Sequence, residues 1–93
     1  MEADEQRRLP RRRVLKQGRI VLEERGTIDC VIRDVNEKGA RIRFNGPIAL
    51  PDTFIFLNIS DQTQIPARRA WQRSLDAGIQ FTGEAGPIPP HFR

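Results

Sequence analysis

The chain has 93 residues, enough for one small domain with a thin core and too few for an enclosed active-site cavity. Its single cysteine, Cys30, and single histidine, His91, exclude an internal disulfide and leave too few ligands for a zinc site. All of the formal net charge of +4 is carried by residues 1–19, where seven Lys and Arg stand against three acids, while residues 20–93 carry nine of each sign. A neutral body with a cationic arm is suited to holding something anionic against that body. No apolar run is long enough to span a bilayer and no hydrophobic signal region precedes the basic stretch, so neither membrane insertion nor export is expected, and the location expected is cytoplasmic.

Residues 1–13 are polar and charged with Pro10 in their middle, and they are expected to form a flexible arginine-rich arm. The first strand is predicted over 15–24, followed by a tight turn at Arg25-Gly26. Residues 27–33 alternate strictly and place Ile28, Cys30 and Ile32 on one face, with Cys30 expected as a small buried apolar residue. After a loop, residues 40–44 alternate again, with Ala40, Ile42 and Phe44 inward and Arg41 and Arg43 outward; Asn45-Gly46-Pro47 ends that strand. The run at 53–59, rich in aromatic and β-branched residues, is too short for a typical helix and reads as a strand. Further strands are predicted at 67–73, carrying Trp71, and at 77–81, with Phe54, Phe56, Trp71 and Phe81 assigned to the core. Residues 84–93, rich in Gly and Pro, are expected to be a loose tail.

Six short strands separated by turns, with no amphipathic helix, predict an all-β fold: a small six-stranded antiparallel β-barrel over residues 14–83. Closure is favoured over an open sheet because so small a chain would otherwise expose long edges.

Two elements carry chemistry. The first is the basic stretch containing Arg7-Arg8-Leu9-Pro10-Arg11-Arg12, whose guanidinium forks suit phosphate oxygens and the O6/N7 edge of guanine. The second is Asp34-Val35-Asn36-Glu37-Lys38-Gly39, between the two best-alternating strands. Read plainly it is a hairpin loop in which Asp and Asn bond the local backbone and Gly39 takes a positive φ. Read for chemistry, Asp34 and Asn36 are two apart and point the same way in an extended segment; a carboxylate accepts from guanine N1–H and N2–H2, and an amide both donates and accepts.

The pair of motifs resembles the PilZ domain family, in which Arg-x-x-x-Arg precedes a strand hairpin and [Asp/Asn]-x-Ser-x-x-Gly opens the next strand. Arg8 and Arg12 match the first motif, with Arg7 as the extra arginine before it; Arg7 and Arg11 satisfy the same spacing. Asp34, Asn36 and Gly39 match the second, with Asn where the family pattern has Ser. Trp71 and the Gly78-Ile79-Gln80-Phe81 segment are similar to the family's closing strands, so the resemblance spans roughly residues 7–82.

The resemblance implies a six-stranded β-barrel that binds the bacterial second messenger cyclic di-GMP and passes the signal to a downstream protein partner. It implies that Arg8 and Arg12 clamp the phosphates and guanines, that Asp34 and Asn36 hold base edges, and that Gly39 permits close approach. Arg7, Arg11 and Arg41 are secondary candidates, and Arg13, Lys16 and Arg19 read as general electrostatic attraction and not as specific contacts. No cofactor, metal or catalytic group is expected: the one histidine is terminal and no acids cluster outside the arm, so an enzyme is rejected. Two other readings stand beside this one. One is a PilZ-like protein-interaction module without ligand, prompted by Asn36. The other is a small barrel binding RNA or DNA, which the neutral body and the absence of tyrosine disfavour.

Overall fold

The structure, a computed structural model, describes residues 12–22 (backbone alone for 12–15) and 26–90. Its strands are β1 (Arg12–Leu22), β2 (Gly26–Val35), β3 (Gly39–Phe44), β4 (Thr53–Asn58), β5 (Thr63–Arg73), β6 (Asp76–Phe81) and β7 (Gly86–Pro87). The order β4-β1-β2-β3-β6-β5, with β5 pairing back onto β4, closes a six-stranded antiparallel barrel, as the sequence predicts, and β7 is one extra strand on β5. The first strand starts at Arg12, three residues earlier than its apolar pattern indicates, because its backbone goes on pairing with β2 past the last apolar residue: Arg12 meets Val35 and Arg13 meets Asp34.

Alternation fills the interior. Ile20, Cys30, Ile32, Ala40, Ile42, Phe44, Phe54, Phe56, Ala67, Ala77 and Ile79 form the buried cluster, with Phe81 packed at its edge and stacked on Phe56 at 6.1 Å. Cys30 lies among them, and burial, reinforced by Asp29, pushes its thiol up to about 12. It therefore stays protonated and unreactive at neutral pH. The segment after β3 closes one end of the barrel. Arg69 Nη1 donates to the Leu50 carbonyl and its Nη2 to Asp52, while Gln72 donates to the Ile48 carbonyl and accepts from Leu50 N–H, which holds Leu50 against the core.

Two expectations are corrected. Trp71 is not core: it is 45% exposed on the outside of the barrel. The C-terminal segment is not simply a loose tail either, since Gly86 and Pro87 pair with Gln64 and Thr63 and Ile88 is 2% exposed. Leu57, on the opposite face of β4 from Phe56, is also fully buried, and neither it nor Ile88 belongs to the interior cluster. Gln64 is the cross-strand neighbour of both Leu57 and Gly86, so the C-terminal segment covers this outer flank and creates a second small apolar layer. Ile88→Ala is expected to cost about 2–5 kcal/mol by removing one buried side chain of that layer. Urea denaturation checks it, and an unchanged midpoint would mean the segment contributes nothing to the fold.

Candidate ligand site

The loop between β2 and β3 is a tight turn closed by Asn36. Its N–H donates to the Gly39 carbonyl at 2.9 Å, and its side-chain Oδ1 accepts from the N–H groups of Lys38 and Gly39 at 2.8 and 3.0 Å. The carboxamide oxygen is therefore engaged in shaping the loop, and the NH2 group is the part of this side chain left to donate to a ligand.

Gly39 does not take the positive φ expected of it; among the described glycines only Gly26 does, at 87°. A Cβ at Gly39 would lie 2.2 Å from the Ile79 carbonyl oxygen of β6. Glycine is needed here because two backbones meet, where β3 enters its pairing with β6 and Phe81 N–H donates to the Lys38 carbonyl.

Asp34 is on the outward side of the barrel wall only because of a bulge. Residues 28, 30 and 32 of β2 face inward, and uninterrupted alternation would carry Asp34 into the core. The register shifts between Ile32 and Asp34: Ile32 faces Ile42, but Asp34 faces Arg41, leaving Arg33 as the extra residue. Asp34 thus joins the outward side of β3, where its Oδ2 lies 3.1 Å from Arg41 Nη2, and it is only 4% exposed. On the other side its backbone pairs with Arg13, so the chain leading out of the basic segment enters the barrel directly beside it. Arg7, Arg8 and Arg11 lie outside the described residues, as does the side chain of Arg12.

Beside the Asp34–Arg41 pair is a shallow depression of about 350 Å3 whose lining includes Asn36, Lys38, Gly39, Arg41, Trp71 and Gly78. Trp71 is the cross-strand neighbour of Gly78, and a Cβ at Gly78 would fall 2.1 Å from the indole Nε1. The indole therefore lies over the bare backbone of β6 while leaving nearly half of its surface open. The structure brings Asp34, Asn36, Gly39 and Arg41 to one place and adds Trp71 to them. The sequence signal for Trp71 was its alternation with Arg73, overridden by the base rate for burial of a large aromatic in a small barrel.

A larger groove, about 830 Å3, lies on the β1–β4–β5 side and is lined by Val21, Ile55, Pro66 and neighbours with no Lys or Arg. Its only charged wall, Asp52, is paired with Arg69, so it suits a dianion poorly despite its size. No three His, Cys, Asp or Glu among the described residues are grouped to hold a metal.

The model of the PilZ domain matches residues 5–86, which contain the whole six-stranded barrel and both motifs. The chain belongs to the PilZ domain family. The PilZ family is a non-enzymatic receptor or adaptor family of the cyclic di-GMP-binding type. A search of curated proteins found no match to this PilZ domain. Among the described residues there is no helix long and apolar enough to cross a membrane.

Proposed function

We propose that this PilZ domain is a receptor for cyclic di-GMP that captures the dinucleotide between its arginine-rich N-terminal segment and the depression on β3, β6 and β5. The observation that carries this reading is convergence. Asn36, Arg41 and Trp71, from two strands and a loop, border one depression, and Asp34 is paired with Arg41 beside it, where the basic segment enters β1. The ligand offers two phosphates and two guanines. Arg8 and Arg12 supply forks for the phosphates and the O6/N7 edges, Asp34 accepts from N1–H and N2–H2, and the Asn36 NH2 donates to an acceptor. Trp71 offers a flat apolar face on which a guanine stacks. Binding draws the basic segment over the barrel, and the covered surface is what a downstream protein partner reads.

The test uses a feature of the composition. The chain has one Trp and no Tyr, so its near-ultraviolet emission reports Trp71 alone. Cyclic di-GMP at micromolar concentration is expected to quench that emission and release heat in calorimetry, with GTP and a short RNA silent. Trp71→Phe keeps most of the affinity, whereas Trp71→Ala loses about 1–3 kcal/mol, the scale of one base–aromatic stack. A folded protein that shows neither heat nor quenching would favour the ligand-free interaction module. The engagement of Asn36 Oδ1 within its own loop is the observation on that side.

A further inference from the structure

We propose that β5 contributes a second anion-binding stripe, Arg68 and Arg73 on either side of Trp71, which engages the phosphates of the bound dinucleotide and belongs to neither sequence motif. This inference rests on the receptor reading above and extends it to residues which that reading does not use.

Three positions apart on a regular strand, Arg68 and Trp71 would face opposite sides of the barrel wall. The register of β5 against β6 shifts between Arg69 and Trp71, so Ala70 is an extra residue. As a result Arg68, Trp71 and Arg73 face Gln80, Gly78 and Asp76 in turn, three successive outward positions of β6. The bulge turns an unpatterned run into a cation–aromatic–cation stripe on one face. At about 3.4 Å per residue, the three outward rungs span roughly 13–14 Å, with the indole near the middle.

Charge accounting separates these two arginines from their neighbours. Five arginines lie on β3 and β5. Arg41 is paired with Asp34, Arg43 donates to both oxygens of Asp76, and Arg69 is held by Asp52 and the Leu50 carbonyl. Among the described residues Arg68 reaches only the neutral Gln80, donating from Nε to Oε1 at 3.0 Å, and Arg73 forms no ion pair. The two guanidinium groups of these strands that have no ion pair among the described residues therefore flank the one exposed indole, which itself borders the depression. A guanidinium presents two parallel N–H donors that match a phosphate, and it is weakly hydrated enough to give up water for one. A cyclic dinucleotide whose base stacks on Trp71 has a phosphodiester on each side of that base, so cations on both flanks complement it, whereas a mononucleotide engages one flank only.

Arg68→Ala, Arg73→Ala and the double variant are compared with the unaltered chain and with Arg19→Ala, the same charge change at a surface residue of β1 paired with Asp29. Calorimetry and Trp71 emission are read with cyclic di-GMP and with GMP, and thermal melting checks the fold. Each single variant is expected to weaken cyclic di-GMP binding about tenfold and the double about a hundredfold, with Arg19→Ala changing it less than threefold. If the unaltered chain binds and the double variant binds equally well, the stripe is overturned and the receptor reading stands. If cyclic di-GMP is ignored, GMP quenching of Trp71 that disappears in the double variant keeps the stripe as a nucleotide site and removes the receptor reading. Silence with both nucleotides overturns both.

Discussion

Gly39→Ala is expected to destabilise the barrel by about 1.5–4.5 kcal/mol, the sum of overpacking at about 1–3 kcal/mol and one weakened ladder hydrogen bond at about 0.5–1.5 kcal/mol. The new methyl would sit 2.2 Å from the Ile79 carbonyl oxygen, and neither side of that contact is a flexible side chain. The strands β3 and β6 must therefore part at their first rung, where Gly39 faces Gln80 and Phe81 N–H meets the Lys38 carbonyl. For a domain of this size the melting temperature should fall by roughly 6–36 °C. Gly78→Ala provides the contrast. Its clash is with the Trp71 indole, which swings away, so stability changes little while the emission of Trp71 shifts and the depression fills. Differential scanning fluorimetry on both variants decides the matter: equal small shifts would mean that the close strand approach at Gly39 carries no load.

The double variant Arg8→Ala/Arg12→Ala is expected to lose at least a hundredfold in cyclic di-GMP affinity with an unchanged melting temperature. Each charge-assisted contact contributes about 1.5–3 kcal/mol, so two of them together exceed two orders of magnitude. The backbone register supports the assignment, since Arg12 pairs with Val35 and Arg13 with Asp34, one strand away from the carboxylate that would accept the base. The sister variant Arg7→Ala/Arg11→Ala, built on the same spacing one residue earlier, tests the register. Near-normal affinity in that protein identifies Arg8 and Arg12 as the motif, while the opposite result transfers the role. Equal binding by both double variants would remove the basic segment from the site altogether.

Much of the fold was legible because a half-buried strand writes its period into the sequence. Ile28, Cys30 and Ile32, then Ala40, Ile42 and Phe44, alternate in the sequence and face the interior in the barrel. Turn residues separated these runs, and the two spaced motifs were sufficient for the family. Strand ends were less legible. The first strand runs back to Arg12, and the extra strand at Gly86–Pro87 lies in a stretch whose Gly and Pro content signals a loop; both are held by backbone pairing, which leaves no mark in side-chain polarity.

The sequence by itself determined the fold class, the family, the partition of charge between a basic N-terminal segment and a neutral body, and the positions of the candidate groups along the chain. Only the tertiary structure decided which way those groups face. One extra residue at Arg33 moves Asp34 from the core side to the outer wall beside Arg41, and one at Ala70 aligns Arg68, Trp71 and Arg73 on a single face. Side-chain direction in a strand has a period of two, so one inserted residue reverses everything after it. Where the insertion falls is set by the partner strand's hydrogen-bond ladder, and neither Arg33 nor Ala70 differs in kind from the residues around it.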